Sequence, residues 1–299
     1  MAVKTIIAGL GNIGMMYDYN SNALITHCKY IKKSDYFHLS GAVDKKQINR
    51  KRFKYKYKKL AFKNISVALK KINPQLVIIA FDEKKISNIK KILNYPSIKY
   101  MIAEKPFLYS LNEIKKFLKF LEKKRKIFMI NFPRSFNSNY KKILNSMKEK
   151  KLGKIRSIEF STSGDVVSNF SHFLYLFISK IPNSNFKTFS HENINKLNFK
   201  NFSIVTKKIN SKYFFFNFKL YFDKAVVSIE GPPEKIKIYI LKQSKKYAGV
   251  KSLKLEKKIN LGILSNNLYK KLQFQTKKKL KLDTKKFIFY TKILSKLKN

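Results

Sequence analysis

The stretch VKTIIAGLGNIG, from Val3 to Gly14, joins a run of strand-forming residues to the glycine pattern Gly9-x-Gly11-x-x-Gly14. This order predicts a buried strand, a tight turn and the start of a helix. Gly9 allows the turn, Gly11 leaves room for a pyrophosphate to approach the backbone, and Gly14 lets the helix pack close to the strand. The helix N-terminus offers N–H groups and a positive dipole end to phosphates. The sequence therefore predicts dinucleotide contacts at Gly9, Gly11, Asn12, Ile13 and Gly14.

The segment from Phe37 to Asp44 predicts a second strand that ends in a carboxylate. Such a carboxylate can accept hydrogen bonds from the adenosine ribose hydroxyls. It follows the glycine turn by more than the usual spacing of about 20 residues, so we expect the turn-rich stretch from Tyr17 to Thr26 to hold an insertion. The acid favours NAD over NADP, although Lys45 and Lys46 could hold a 2′-phosphate. A solvated acid at a strand end is the alternative interpretation.

The formal charge of +49 over 299 residues would ordinarily favour a polyanionic partner. The basic residues are nearly all lysine, and Asn, Ile, Phe and Tyr are also abundant, while Trp is absent and Gly is scarce. The abundant residues have AT-rich codons, so we interpret the charge as a composition bias from an AT-rich genome, spread over solvated faces. A nucleic-acid binder would cluster its charge and favour arginine. We expect no specific nucleic-acid partner and keep polyanion binding as a distant alternative.

Cys28 is the only cysteine, so no intrachain disulfide can form and a reducing compartment fits. We expect it to be a small buried residue rather than a nucleophile. The N-terminus is typical of a strand and glycine turn rather than a signal peptide, and no apolar run approaches the ~20 residues that span a bilayer. The histidines show no metal-ligand spacing. These features predict a cytoplasmic protein without a membrane partner or a bound metal.

The first half of the chain alternates strand-like and helix-like segments, which predicts parallel βαβ units. Past Asn139 the pattern changes to strands joined by short turns, which indicates an antiparallel sheet. The predicted fold class is an α/β Rossmann domain with a doubly wound parallel sheet at 1–133. An α+β substrate and oligomerisation domain with a large open, mostly antiparallel sheet is expected at 134–299. The predicted helices include Ile65–Ile72, Leu111–Lys124, Asn266–Phe274 and Thr284–Lys298.

The most apolar predicted strand is Tyr213–Phe222. Its two faces differ. One face is expected in the core and carries Phe214, Phe216, Phe218, Leu220 and Phe222. The other face is mixed in polarity and is expected to meet solvent or a partner subunit.

Four stretches stand in an informative order: GLGNIG, the Asp44 strand end, Glu104-Lys105-Pro106 after a strand, and Ser171-His172 at the start of a helix. This order resembles the glucose-fructose oxidoreductase, inositol dehydrogenase and MocA family of NAD(P)-dependent oxidoreductases, over nearly the whole chain. Asn131-Phe-Pro-Arg134 matches the family's N-x-x-R element. Thr26-His27 is similar to a Thr-His element found in a subset of the family.

The resemblance implies reversible hydride transfer between a nicotinamide and a carbon of a sugar, a nucleotide sugar or a polyol. It implies that Lys105 hydrogen-bonds the reacting oxygen, after a Lys–Pro bond that is often cis, and that His172 is the acid and base. It implies homodimers or homotetramers through the outer face of the second sheet. The residues that it implies at the cofactor are Ala80, Phe81, Glu104 and Lys105, and those at the substrate are Arg134, Asn169 and Tyr175.

Each of these residues also has a structural interpretation. His172 lies beside an apolar helix and is often a core or capping residue in such a place, and Asn169 could be a helix cap. We expect a structural role for His27. Arg134 could hold an anionic substrate group or pair with Glu104.

The chain departs from the family at two places. Phe81-Asp82 replaces the usual Thr-Pro, with Ile86 where a histidine would follow, and Tyr175 replaces the aspartate three residues after His172. Without that acid the imidazole is less fixed. A second hypothesis is therefore a degenerate dinucleotide-binding protein with weak or no dehydrogenase activity. The residues leave open the substrate, the choice between NAD and NADP, and the oligomeric state.

Overall fold

We analysed a computed structural model of the chain. It describes residues 2–81, 83, 85–146, 152–181, 183–261, 269 and 283–297. The chain forms two compact units, one of Met1–Asn131 with Ser265–Thr291 and one of Phe132–Leu264 with Lys292–Asn299. The sequence predicts one boundary near residue 133, whereas the chain returns to the first unit near its C-terminus. No helix in the described part is long and apolar enough to cross a membrane.

The first unit is built on a six-stranded parallel sheet in the order β3-β2-β1-β4-β5-β6. Its strands are β1 (Val3–Ala8), β2 (Phe37–Val43), β3 (Leu60–Phe62), β4 (Leu76–Ile79), β5 (Tyr100–Ala103) and β6 (Ile127–Ile130). The central strands β1 and β4 are buried on both faces, as parallel strands covered by helices are. The order reverses between β1 and β4, which is the point where the carboxyl ends of a doubly wound sheet open a crevice.

The helices of this unit connect successive strands. They are α1 (His27–Lys32), α2 (Gln47–Tyr57), α3 (Ile65–Ile72), α4 (Ile86–Leu93) and α5 (Leu111–Lys124). The predicted bounds of α3 and α5 are confirmed. Helix α5 begins at a capping box, in which Ser110 and Glu113 each bond the other's backbone, and such a cap contributes about 1 kcal/mol. It ends where Arg125 adopts a left-handed conformation.

The segment after the glycine turn differs from the expected helix. Asn12–Met16 forms a single π-helical turn, and turns follow before α1 begins. Asp18 holds this stretch together, because its carboxylate accepts from the backbone N–H groups of Ile25 and Thr26 and from the Thr26 hydroxyl, at 2.7–2.8 Å. Burial opposes the charge of Asp18, but the hydrogen bonds from Thr26 and Ile25 outweigh it and lower the pKa of that carboxyl. The insertion expected between Tyr17 and Thr26 therefore forms a pinned loop.

The second unit is built on an eight-stranded sheet in the order β14-β13-β12-β11-β7-β10-β9-β8. Its strands are β7 (Ile155–Thr162), β8 (Lys187–His191), β9 (Ile194–Phe199), β10 (Phe202–Lys208), β11 (Phe216–Phe222), β12 (Ala225–Gly231), β13 (Lys235–Gln243) and β14 (Lys251–Asn260). All pairs are antiparallel except β7 with β10. The predicted fold class is confirmed by the two sheets.

Helix α8 (Val166–Phe177) covers one face of this sheet, and within the described residues the opposite face keeps exposed side chains, such as Leu255 at 53%. Helix α8 packs its aromatic side chains against Phe160 and Phe218. The described part of this unit also contains α6 (Pro133–Phe136), α7 (Ser138–Ser146) and a 3₁₀ turn at Ile178–Lys180. Helix α9 (Thr284–Leu297) begins in the first unit and ends in the second. The predicted helix Asn266–Phe274 lies outside the described residues apart from Tyr269.

The prediction for the strand Tyr213–Phe222 is partly wrong. Phe216, Phe218, Leu220 and Phe222 are buried, but Phe214 is 50% exposed, because β11 begins only at Phe216. Strands β8, β9 and β14 were not predicted from the sequence.

Candidate functional site

The glycine turn lies between the carboxyl ends of β1 and β4. Gly9 has a φ of +100°, and a Cβ there would lie 3.0 Å from the Ala80 backbone. A Cβ on Gly14 would lie 2.0 Å from the carbonyl oxygen of Gly9, so only glycine fits. A Cβ on Gly11 would meet no atom within 4 Å. The turn is therefore closed at Gly9 and Gly14 and open at Gly11, which is the geometry that a pyrophosphate needs.

Asp44 lies at the end of β2 beside this turn. Its Oδ2 accepts from the backbone N–H of Leu10 at 2.7 Å and from Asn49 at 3.2 Å, and its Oδ1 accepts from the backbone N–H of Lys46 at 2.7 Å. Arg50 donates to the carbonyl oxygens of Asp44 and Lys45. The carboxylate is thus tied to the glycine turn rather than only solvated, while its contact with a ribose stays a prediction.

The end of β4 carries the next predicted contacts. Ala80 donates its N–H to the carbonyl of Ala8 at 2.7 Å, which holds this end of β4 beside β1. Phe81 is 44% exposed, and its ring would lie 3.1 Å from a Cβ on Gly9. Asp82 lies outside the described residues. An exposed ring therefore stands against the turn where the family usually has Thr-Pro.

Glu104, at the end of β5, belongs to a buried polar cluster with His27, Asn131 and Tyr269, which we call the Glu104 cluster. Oε1 of Glu104 lies 2.8 Å from Nε2 of His27 and 2.5 Å from Nδ2 of Asn131. Nδ1 of the fully buried His27 is hydrogen-bonded to the Tyr269 hydroxyl. Burial, then the Glu104 charge, raises the pKa of Tyr269 well above its usual value, so the phenol stays protonated. Both ring nitrogens of His27 are satisfied when Tyr269 donates to Nδ1 and Nε2–H donates to Glu104.

Lys105 directly follows Glu104 and is half-buried. Its peptide bond to Pro106 is cis, as the resemblance implies. Glu104 donates its backbone N–H to the carbonyl of Ile79 at 2.9 Å, so the Glu-Lys-Pro element starts at the same sheet edge as Ala80. The structure thus brings the predicted cofactor residues of the first unit to one edge of its sheet.

In the second unit, His172 lies within α8 and not at its start as expected, because α8 begins at Val166. His172 is 9% exposed, and its ring meets that of Phe132 edge-on at 6.3 Å. Tyr175 stacks on the same Phe132 ring, at 4.1 Å between centroids and 15° between planes. The position where the family has an aspartate therefore supplies a packed aromatic ring.

Asn169 is not the cap of this helix. Asp165 is the N-cap, and its carboxylate accepts from the backbone N–H of Ser168 at 2.6 Å. Asn169 lies in the first turn and donates from Nδ2 to the carbonyl of Asp165 at 2.7 Å. The same amide lies 2.8 Å from where a Cβ on Gly164 would stand. A substrate contact for Asn169 stays a prediction.

Arg134 pairs with Glu234 at 2.5 Å in the second unit, so its carboxylate partner in the described chain is not Glu104, which was one of the two alternatives. Its guanidinium also lies over the rings of Phe173 and Phe216, at 4.6 and 5.3 Å. Tyr140 donates to the other oxygen of Glu234. Burial and the Glu234 charge raise the pKa of Tyr140, so this phenol remains a donor. Contact of Arg134 with an anionic substrate stays a prediction.

Sequence reasoning missed Glu234, Tyr140 and Tyr269 as partners of these residues. Glu234 follows Pro232 and Pro233, which mark a turn but not a partner. Tyr269 lies 242 residues after His27, so no local pattern connects them.

Comparisons with known proteins bear on this geometry. Residues 3–132 match a family model described as "Oxidoreductase family, NAD-binding Rossmann fold". The matched model is that of the Gfo/Idh/MocA family, over residues 3–132. The resemblance drawn from the sequence is confirmed, and the match spans the glycine turn, Asp44 and the Glu104-Lys105-Pro106 element. The curated proteins contain no match to this sequence.

Solved structures similar to the whole chain include oxidoreductases. A dehydrogenase (MviM) from Clostridium difficile is 18% identical, with a TM-score of 0.69 and 99% of each chain covered. A 3-ketoreductase variant from Actinomadura kijaniata, in complex with TDP-benzene and NADP, is 9% identical, with a TM-score of 0.76 and coverage of 99% of this chain and 96% of that one. A dehydrogenase from Chromobacterium violaceum is 12% identical, with a TM-score of 0.70 and coverage of 99% and 94%. At these identities the likeness shows a shared Gfo/Idh/MocA-type fold.

Proposed function

We propose that this chain is an NAD(P)-dependent oxidoreductase that transfers a hydride between a nicotinamide and a carbon of a sugar, a nucleotide sugar or a polyol. The observation that carries the proposal is the open space at Gly11, between the closely packed Gly9 and Gly14. A turn shaped in this way admits a pyrophosphate against the backbone. The similar 3-ketoreductase, whose structure contains NADP and TDP-benzene, supports the substrate class.

The residues present fit a bound dinucleotide. The backbone N–H groups of Asn12 and Ile13 would face the phosphates, Asp44 would accept from the ribose hydroxyls, and Ala80 and Phe81 would line the ring. Asp44 favours NAD, and Lys45 and Lys46 are the residues that would hold the 2′-phosphate of NADP. A bound nicotinamide supplies or accepts the hydride. The single buried Cys28 fits a reducing compartment such as the cytoplasm.

We assign the proton chemistry to Lys105 and His172. Lys105, as a half-buried ammonium at the sheet edge, would donate a hydrogen bond to the reacting oxygen. His172 would serve as the acid and base, because an imidazole titrates near neutrality and can act in both directions. Arg134, Asn169 and Tyr175 are proposed at the substrate, in line with the family resemblance.

A second candidate function is nucleotide binding without turnover. The observation that favours it is the stacking of Tyr175 on Phe132 at the position where the family has the aspartate after its histidine. In the family's pattern that aspartate orients the histidine and tunes its basicity, so an aromatic residue at Tyr175 favours weaker acid–base chemistry. The two candidates agree on cofactor binding and differ only in catalysis.

The first experiment is a titration with NADH and NADPH, followed by the fluorescence of the nucleotide because the chain has no Trp. The comparison variant is Gly11→Asp, which places a carboxylate where the phosphates would lie. Ser252→Asp is the matched control, because it adds the same charge on the exposed strand β14. We expect saturable binding that Gly11→Asp abolishes and Ser252→Asp preserves. Binding that ignores Gly11 and fades with salt would overturn the proposal.

The second experiment separates the two candidates. With any sugar that supports NAD(P)H turnover, Lys105→Ala should abolish the reaction and spare nucleotide affinity, while Lys115→Ala on the exposed face of α5 should change neither. Nucleotide binding without turnover on a panel of sugars would favour the second candidate. Loss of nucleotide affinity in Lys105→Ala would show that Lys105 serves the cofactor instead.

We also propose self-association, as a homodimer or homotetramer, through the open face of the second sheet. Strand register places Tyr221 beside Val226, Val226 beside Tyr239, and Tyr239 beside Leu255, all on the face opposite α8. Leu255 is 53% exposed, and Leu253 and Leu241 extend the row. A contiguous apolar row on an open sheet is typical of a protein interface.

A further inference from the structure

A cleft of about 410 Å³ lies within the second unit, at the end of the sheet where β7 begins. Lys154 directly precedes β7 and Arg156 lies at its start, Lys180 comes from the 3₁₀ turn after α8, and Asn201 from the turn between β9 and β10. The volume is within the range of small-molecule sites. With Phe222 of β11, four separate segments thus converge on one concave surface.

The position of the cleft follows from the length of α8. Along β7, Ile158 and Phe160 are buried under α8, whereas Arg156 is exposed and lies at a register shift, after which Phe222 pairs with Ile155. Helix α8 ends at Phe177, and the 3₁₀ turn ends at Lys180, so the helical cover stops near this end of the sheet. His172 lies earlier in α8, and the cleft is not formed by any of the residues proposed for hydride transfer.

The cleft keeps a positive formal charge after its ion pair, Arg156 with Asp223, is counted. Asp223 accepts from Nε of Arg156 at 2.5 Å and from the backbone N–H of Lys154 at 3.0 Å. These bonds, the one from Arg156 first, lower the pKa of Asp223, so it stays ionised at neutral pH. Three cations and one carboxylate leave a formal excess of two positive charges. Within the described chain, Lys180 is half-buried and makes no ion pair.

The cleft also has an apolar wall and a planar donor. Phe222 and Ile155 contribute carbon surface to it. Arg156 is one of only five arginines in the chain, and it binds Asp223 through Nε, which leaves its terminal nitrogens for a second acceptor. A guanidinium matches phosphate oxygens in this way better than an ammonium does.

We propose that this cleft binds a small phosphomonoester that carries a flat apolar group, with the phosphate at Lys154, Arg156 and Lys180 and the apolar group against Phe222. A phosphomonoester carries about −1.5 to −2 charges at neutral pH, which matches the excess of two. A ring against Phe222 gains the burial that inorganic phosphate alone lacks. This binding is independent of the proposed oxidoreductase activity.

The test uses phenyl phosphate as the probe, with calorimetry at about 0.15 M salt, where surface charges are screened beyond about 8 Å. The variants are Lys180→Gln and, in case that one fails to fold, Lys154→Gln. Lys196→Gln is the matched control, because it removes the same charge from exposed β9 of the same sheet. We expect saturable binding that weakens by about tenfold in either cleft variant, the loss expected for one charge-assisted hydrogen bond. Lys196→Gln should bind as the unmodified chain does.

Two more titrations distinguish the cleft from the glycine turn and from the charged surface in general. Binding of phenyl phosphate should persist in Gly11→Asp. If Gly11→Asp abolished it, the probe would be bound at the glycine turn and not in the cleft. Inorganic phosphate should bind more weakly than phenyl phosphate. Binding that does not saturate, or that weakens equally in Lys196→Gln, would overturn the proposal and assign the effect to the general attraction of a chain of charge +49 for anions.

Discussion

Nε2 of His27 lies 2.8 Å from Oε1 of Glu104, and this bond joins the first residue of α1 to the first residue of the Glu-Lys-Pro element. Both residues stand out in the sequence, but as separate features. The bond gives His27 a specific task, which is to hold the carboxylate that directly precedes Lys105. Because His27 is fully buried, its loss leaves a cavity as well as an unpaired partner.

We therefore expect His27→Ala to lower the free energy of unfolding by about 3 kcal/mol, from a lost buried hydrogen bond and a cavity. His38→Ala is the matched control, since His38 is exposed on β2, and it should change stability by less than about 0.5 kcal/mol. Urea denaturation measures both. In a double-mutant cycle with Glu104→Gln, a coupling of about 0.5–3 kcal/mol is expected, and strictly additive losses would contradict the assigned bond.

The Asp18 loop makes a prediction for pH. The pKa of Asp18 is lowered from 3.8 in the folded chain, so its carboxylate stabilises the fold at neutral pH. This contribution is complete above pH 3.8 and is lost as the pH falls below that value towards the folded pKa. Asp18→Asn should cost about 1–3 kcal/mol at pH 7, because hydrogen bonds to a charged acceptor are replaced by weaker ones. The measurement is urea denaturation at pH 7 and at successively lower pH.

The difference in the free energy of unfolding between Asp18→Asn and the unmodified chain should shrink as the pH falls below 3.8. A difference that stays constant with pH would show that the loop depends on shape and not on the charge of Asp18. Glu113→Gln is the comparison at an exposed carboxylate. The side-chain and then the backbone hydrogen bonds of Ser110 lower the pKa of Glu113, so the effect of Glu113→Gln on the free energy of unfolding should also shrink at low pH.

The fold of the first unit could be predicted from sequence because its signals are local. The glycine pattern lies within six residues, and the apolar stripe of α5 repeats along one helix, so each could be interpreted without knowing its partner. Strands β8 and β14 were missed for the opposite reason. Nearly all their side chains are exposed, so they lack the buried face that produces a clear alternation.

The partners within the candidate site could not be predicted, because they are distant in sequence. Glu234 lies 100 residues beyond Arg134, and one acid among the 17 in the chain has no mark that pairs it with that arginine. The sequence left two partners open for Arg134, an anionic substrate group or Glu104. In the structure Glu234 is the partner instead, and the rings of Phe173 and Phe216 pack against the guanidinium that it binds.

This pair leads to a prediction on stability. The side chains of Arg134 and Glu234 are only 12% and 10% exposed, so Glu234→Gln leaves a buried guanidinium without its counter-charge. We expect a loss of about 3–5 kcal/mol. Glu256→Gln is the matched control. Glu256 of the exposed strand β14 pairs with Lys242 of β13, and exposed ion pairs of this kind contribute about 0–1 kcal/mol. Equal effects in thermal or urea denaturation would contradict a structural role for Glu234.

The last prediction concerns self-association through the sheet face opposite α8. If copies of the chain meet through the row from Tyr221 to Leu255, then Leu255→Glu places a charge in the middle of an apolar contact. A buried unpaired charge is costly, so we expect the variant to dissociate to a monomer. Light scattering after size exclusion measures the mass directly.

Val67→Glu is the control for this experiment, because Val67 is equally exposed, at 51% against 53% for Leu255, but lies on α3 in the first unit. It should keep the mass of the unmodified chain. Because the glycine turn belongs to the other unit, nucleotide binding by Leu255→Glu should be retained, which separates loss of assembly from loss of folding. An unmodified chain that is already monomeric at micromolar concentration would show that this row does not hold copies of the chain together.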